Sequence, residues 1–361
     1  MREIKIAAIP GDGIGKEVLA EGIKILNLIS SKNTGVRFSI DTFDWGCEYY
    51  LENGKMMDDN GIEILKGYDA ILLGAVGFPG VPEHISVRGL IIKIRQELNQ
   101  YVNVRPIKLL KNVDCPLKDK TDEDIDMVFV RENVEGEYAG VGGIIKSGTD
   151  GGTAIQTSVF TRKNTEKVME YAFKLAQKRS NKLTSVTKSN ALNYSMVFWD
   201  KIFKEVSEKY NNTTTEQINV DAMSMYMVKK PERFDVVVAS NLFGDILTDL
   251  GAAIQGGMGF AAGGNINPEG EFPSMFEPIH GSAPYMAGKG VANPIAFIWS
   301  VVLMIKHLEL TELASALMKS IEDSLLVKER LTRDLGGNAS TSEAGDYICE
   351  LFANNIDNVT V

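Results

Sequence analysis

Residues 234–259 read FDVVVASNLFGDILTDLGAAIQGGMG, and the rest of the chain is organised around them. Val236, Val237 and Val238 make a short apolar strand that runs into Ser240 and Asn241. A helix follows, with Asp245 and Asp249 four residues apart and so on one face, about a turn from each other. No basic residue stands at three- or four-residue spacing on that face. Two unpaired acids there repel each other, and a divalent cation is the simplest thing that removes the cost. The competing reading is a solvated acidic face, or charges that favour the helix N-terminus. The apolar and small neighbours Leu242, Phe243, Leu250, Ala252 and Ala253 argue against free solvation.

With 361 residues and a net charge of −10, the chain has material for a large core and for two lobes. The acidic balance argues against nucleic acid or an anionic membrane as partner, so an anionic substrate needs a local basic cluster. Cys47, Cys115 and Cys349 are scattered, which fits buried thiols in a reducing compartment rather than a disulfide frame or zinc site. The opening MREIKIAAIPGDG lacks a signal-peptide core, and no apolar run reaches bilayer length. A cytoplasmic protein is expected.

Residues 4–9 (IKIAAI) read as a buried first strand, followed by PGDGIG at 10–15 and an amphipathic helix with Val18, Leu19, Gly22, Ile23, Leu26 and Ile29 on its apolar side. Strand, glycine turn and helix describe either a phosphate site or only a tight turn. The spacing fits neither the dinucleotide fingerprint nor the P-loop. Residues 69–77 (DAILLGAVG) read as a parallel strand ending in a glycine loop. Next come a helix over 89–99 with Arg95, a strand over 101–109 with Arg105, and a strand over 124–132 that ends on Arg131 and Glu132. Three arginines at or near element ends, each in an apolar stretch, form a candidate clamp for a small anion, since the guanidinium fork matches a carboxylate. Taken singly, each also reads as a surface ion pair.

The glycine-rich segment after Glu132 reads as an irregular loop and a protruding hairpin, about 142–160, of the kind that clasps a second subunit. A helix over 164–179 precedes a strand over 182–188 ending in Lys188, which is either a catalytic base with lowered pKa or an ordinary lysine. A helix over 199–210, a strand over 218–220, Asp221 and a helix over 223–229 lead back to the opening stretch. Residues 273–294 look too irregular for an element and too long for a turn, a common form for functional loops. Helices over 295–308 and 311–328 are read as closing the chain.

PGDGIG, GAVG, the arginine helix followed by NVRP, RENVEGEY, TKSN, ASNLFGDILTDL and HGSAP…GKGVANP, in this order, resemble the β-decarboxylating dehydrogenases. That family acts on isopropylmalate, isocitrate, homoisocitrate, tartrate and D-malate. The likeness runs from residue 4 to about 345, and FDWGCEYYLENGKMM, NQYVNVRP and DIDMVFVRENVEGEYAGVGG look most like its tartrate and D-malate branch. The resemblance implies an α/β chain with the two-domain α/β/α isopropylmalate/isocitrate dehydrogenase fold, not a Rossmann domain. Residues 1–103 and 256–361 would form a discontinuous cofactor-side domain. Residues 104–255 would form the substrate and dimerisation domain. The active site would lie between the domains and be shared across a homodimer.

By the same resemblance, Arg95, Arg105 and Arg131 bind the carboxylate to be lost. Asp245 and Asp249, with Asp221 from the second copy, bind Mg²⁺ or Mn²⁺. Lys188, also from the second copy, takes the hydroxyl proton, and Tyr138 protonates the enol. Gly74, Ala75, Val76, Gly77, Glu277, His280, Gly281, Ser282, Ala283, Pro284 and Asn293 fall at or beside cofactor-binding positions. NAD is the expected cofactor and NADP the alternative, because Tyr285 and Met286 stand where NAD users carry an acid and Arg333 is placed to meet a 2′-phosphate. The expected reaction is metal-dependent oxidation, with β-decarboxylation, of a small 2-hydroxy diacid of the D-malate or tartrate type. Isopropylmalate is the alternative substrate; Ile91 would tolerate its branch, and Arg88 stands where relatives often have an aromatic. A non-catalytic regulatory subunit is disfavoured because Lys188, Tyr138, Asp221, Asp245 and Asp249 are all present.

Overall fold

The computed structural model describes residues 2–32 and 34–356. Among these, the strands in chain order are β1 (Arg2–Gly11), β2 (Val36–Thr42), β3 (Ala70–Ala75), β4 (Val102–Lys108), β5 (Asp126–Glu132), β6 (Gly136–Ile145), β7 (Thr153–Val159), β8 (Lys182–Thr187), β9 (Thr214–Asn219), β10 (Val236–Ala239), β11 (Ala262–Ile266) and β12 (Ser274–Pro278). The chain divides into two compact units. The first comprises Met1–Gln100, Leu109–Lys118 and Gln255–Val361, and the second Tyr101–Lys108 and Asp119–Ile254. The short Leu109–Lys118 segment counts with the first unit.

In the first unit the strand order is β2-β1-β3-β12-β11. β1 pairs in parallel with β2 and β3, β12 in parallel with β3, and β11 antiparallel with β12. The run AILLGA of β3 is buried at every position, the pattern of a strand covered on both faces. The 273–294 segment is not wholly irregular, as expected above: SMFEP forms β12, with all five residues buried. Its polar look misleads because Ser274 and Glu277 are buried and hydrogen-bonded while Met275 and Phe276 enter the core. Nor do two helices close the chain. A further helix, Thr341–Ile356, buries Ala344, Ile348, Phe352 and Ile356, four residues apart in turn. That spacing is a plain apolar stripe, and burying each large side chain contributes about 1.5–3 kcal/mol. The expected helix over 89–99 starts earlier and runs without a break over 83–97, as Glu83–Ser86, a π-turn Val87–Ile92 and Lys93–Glu97, which carries Arg95.

In the second unit the order is β4-β5-β10-β8-β9. β10 is parallel to both β5 and β8, and β4 runs antiparallel to β5. β6 and β7 pair only with each other, as a hairpin whose Ile144, Ile145 and Ile155 are exposed. Val220, read above as strand, opens the helix Val220–Lys229 and so places Asp221 in its first turn. No helix of the described residues is long and apolar enough to cross a membrane.

Candidate active site

The helix Asn241–Ile254 follows β10 directly and buries Asn241, Gly244, Leu247, Thr248 and Gly251, the three- and four-residue rhythm of one face. Two of these are glycines for lack of room. A Cβ on Gly244 would lie 2.6 Å from Cγ of Arg131, and one on Gly251 2.1 Å from Cδ1 of Ile107. Each glycine costs the helix about 1 kcal/mol relative to alanine. In return the helix lies close against β4 and β5, and the arginines of both strands reach Asp245. Gly244→Ala is therefore expected to destabilise the protein by about 1–3 kcal/mol and to displace Arg131. Thermal melting and steady-state rates check this: a variant with unchanged melting midpoint and unchanged KM would contradict it.

Arg131 Nη1 donates to Oδ1 of Asp245 at 2.5 Å, and Arg105 Nη1 reaches the same oxygen at 3.3 Å. The Tyr138 hydroxyl donates to Oδ2 at 2.7 Å. The premise that Asp245 is an unpaired acid is thus overturned: its partners come from β4, β5 and β6, not from its own helix. Both arginines are held in turn. Arg105 donates to Asn103 and Thr248, and Arg131 donates from Nε and Nη2 to Oδ1 of Asn241. Asn241, Thr248 and Asn103 did not emerge from the sequence reading. For Asn241 the trace was present: it sits four residues before Asp245 on the same helical face.

Asp249 differs from Asp245. It is exposed and makes no ion pair among the described residues, and desolvation pushes its carboxyl up, with Arg105 opposing and Asp245 adding to the rise. Burial, helped by Asp245, pushes Tyr138 up to about 12, so its hydroxyl keeps its proton well above neutral pH. Elsewhere in the same unit, Lys188 Nζ donates to Asp221 Oδ1 at 2.6 Å. That bond, together with a backbone N–H, holds the Asp221 carboxyl below its usual range.

Two carboxylates a turn apart, one of them without a counter-ion, suit a hard divalent cation that prefers oxygen ligands. Among the described residues of one chain, no three His, Cys, Asp or Glu side chains group as a metal site. Asp221 is occupied with Lys188, so one chain offers a partial donor set.

The first unit carries Arg95, whose Nη2 donates to Glu277 Oε1 at 2.6 Å. It also holds a cavity of about 640 Å³, bordered by Ile14, His280, Tyr285, Asn293, Arg333 and Asp334 among others. This is ample for a nucleotide. The two glycine motifs meet here, since Ile14 N–H donates to the Ser282 carbonyl and a Cβ on Gly13 would lie 2.1 Å from that oxygen. His280 Nε2 is buried and has no hydrogen-bond partner among the described residues. Its Nδ1 lies 3.0 Å from the Gly281 carbonyl and so carries the proton, which leaves Nε2 an acceptor, and burial lowers its pKa. The His280 ring borders the cavity, which fits a nucleotide placed against it. Of the expected cofactor positions, His280, Gly281, Ala283 and Asn293 border the cavity. Gly74 instead packs against the Pro10 carbonyl, and the Gly77 N–H donates to Asp12.

Comparison with known proteins gives a consistent picture. Residues 5–348 match the family described as isocitrate/isopropylmalate dehydrogenase. A probable tartrate dehydrogenase/decarboxylase of Bacillus subtilis (strain 168) is 48% identical over 350 residues, covering 97% of this chain and 98% of that protein. The D-malate dehydrogenase (decarboxylating) of Escherichia coli (strain K12) is 47% identical over 360 residues, covering 98% and 99%. Among solved structures, isocitrate dehydrogenase from Methylococcus capsulatus matches with a TM-score of 0.87 at 33% identity, over 98% of this chain and 100% of that one.

Proposed function

The chain belongs to the isocitrate/isopropylmalate dehydrogenase family and is a decarboxylating dehydrogenase, and from that premise we propose that it oxidises D-malate or tartrate with NAD and a divalent cation. The observation that carries this reading is the convergence of Arg105, Arg131 and Tyr138 on Asp245. It collects a carboxylate-binding pair, a candidate metal ligand and a proton donor in one place. The names of the relatives at 47–48% identity favour the D-malate and tartrate type over isopropylmalate.

In this reading Arg95, Arg105 and Arg131 grip the departing carboxylate. Asp245 and Asp249, joined by Asp221 of a second copy, would hold Mg²⁺ or Mn²⁺. The cation would supply Lewis acidity at the substrate hydroxyl, and a bound nicotinamide would supply the hydride acceptor. Lys188 of the second copy takes the hydroxyl proton. Tyr138, protonated at neutral pH, returns a proton to carbon after CO₂ departs. The exposed isoleucines of the β6–β7 hairpin, with exposed Met225, Val228 and Ile246, support a homodimer that brings the second copy's residues into reach.

The NAD assignment is supported by Asp334, which puts a carboxylate at the cavity where an added 2′-phosphate would be repelled. Arg333 partly offsets it. The test is a panel of D-malate, tartrate, isopropylmalate and isocitrate, each run with NAD and NADP, with Mn²⁺ and with EDTA. D-malate or tartrate should lead in kcat/KM, NAD should exceed NADP, and EDTA should stop turnover. Turnover of isopropylmalate alone would reject the substrate assignment, and a clear NADP preference would reject the cofactor assignment.

A further inference from the structure

Resting on the reading that Arg95 receives a carboxylate, we propose that Glu277 is a built-in competitor for it: a counter-ion that must release Arg95 when the diacid binds. The Arg95 and Glu277 side chains are each only 10% exposed. Glu277 lies on β12, while Arg95 stands on the helical segment Lys93–Glu97. The Glu277 Oε1 accepts Arg95 Nη2 at 2.6 Å and also Asn265 Nδ2 at 2.7 Å. Its Oε2 makes no hydrogen bond among the described residues.

Arginine–carboxylate pairs frequently close fork on fork, with two parallel bonds. Here one oxygen carries both donors, and Arg95 touches its partner through a single N–H. Its Nε is buried and has no hydrogen-bond partner among the described residues. The guanidinium is neutralised but not saturated, so donors remain for a second anion. The carboxylate, by contrast, is anchored by fully buried Asn265 and stays in place when Arg95 shifts.

The physical reason for such a pair is the cost of leaving a buried guanidinium without a counter-charge in the resting enzyme. The same negative charge then opposes any incoming carboxylate, because repulsion between near charges is weakly screened out of water. Glu277 thus lowers affinity for the diacid and takes Arg95 back once the charge on the departing group is gone.

Glu277→Gln keeps the shape and an acceptor oxygen but removes the charge. The probe is malonate, a dicarboxylate with no hydroxyl to oxidise, titrated calorimetrically into the full-length enzyme with Mn²⁺ and no nicotinamide. Binding should tighten about tenfold in the variant. Asn265→Ser frees Oε1 for a closer grip on Arg95 and should weaken malonate binding. A second readout needs no substrate: phenylglyoxal labelling of Arg95, followed by peptide mass mapping, should be several-fold faster in Glu277→Gln. Unchanged or weaker malonate binding would show that Glu277 only aims Arg95, and unchanged labelling would show that it does not restrain it. Either overturns the proposal. If the substrate panel failed while labelling behaved as expected, the proposed reaction would be wrong and the competition between Glu277 and other anions would stand.

Discussion

Asp245→Asn should lower kcat/KM by on the order of a thousandfold or more, the largest effect expected of any single change in the chain. Its carboxylate faces three groups at once. One oxygen takes Arg131 at 2.5 Å and Arg105 at 3.3 Å, and the other takes the Tyr138 hydroxyl at 2.7 Å. An asparagine there offers one neutral acceptor, turns an amide toward groups that donate, and no longer attracts a cation. Two costs follow, and they can be separated. The fold loses the charge shared by two guanidinium groups that are only 1% and 5% exposed. Removing one partner of a buried pair costs about 3–5 kcal/mol. Because Asp245 is 34% exposed, solvent screening reduces that here to about 2 kcal/mol. The activity loss corresponds to about 4 kcal/mol or more, roughly twice that cost, and should persist at temperatures where the variant is fully folded. Stabilisation of the wild type by Mn²⁺ in thermal melts should vanish with it. A variant that keeps turnover within tenfold and still responds to Mn²⁺ would remove Asp245 from the site.

How much of this was legible beforehand depends on where each partner lies. The helix of Asp245 could be read because its apolar rhythm is local. Its charge balance could not, since Arg105 and Arg131 lie more than a hundred residues upstream and arrive by strand pairing: β5 stands between β4 and β10, and β10 leads straight into the helix. Scanning three and four positions along a helix detects only neighbours on that helix, so a pair made across a sheet escapes it. Gly244 and Gly251 were visible as residues but not as clearances, because a glycine's reason lies in the atom opposite.

The same limit explains β12. Buried polar residues look like loop residues until their partners are known. Asn265 and Arg95 are what make Glu277 an interior residue, and they lie twelve and 182 positions away. The helix Thr341–Ile356 is a different case. Its stripe at four-residue spacing was there to be counted, but it lies beyond the two helices read as closing the chain. Family resemblance carried the functional assignments further than periodicity could, because a motif order of this length encodes contacts that no local window contains.

Lys188→Ala should reduce kcat by roughly 10²–10⁴ while KM changes little, the pattern for a group that acts on the proton in flight rather than on binding. As the chain stands, Lys188 Nζ donates to Asp221 at 2.6 Å, and an ammonium so engaged cannot accept a proton. The pairing is open to exchange, however. The Asp221 side chain is 66% exposed and that of Lys188 28%, and a surface pair of this kind contributes about 0–1 kcal/mol. A cation drawing Asp221 into its own ligand set would release the lysine at little cost. Metal binding and base activation would then be one event. Asp221→Asn should consequently weaken Mn²⁺ binding without restoring the activity of Lys188→Ala, and the double variant should be no slower than the Lys188 variant alone. Fully multiplicative losses would show that the two residues act independently. Lys188→Ala retaining kcat within threefold would assign the proton to another group. Because both residues are offered to a second copy of the chain, mixing the Lys188→Ala and Asp245→Asn proteins supplies a stricter form of the test. Two inactive partners that exchange subunits should regain part of the wild-type rate, since half of the mixed sites would carry neither lesion.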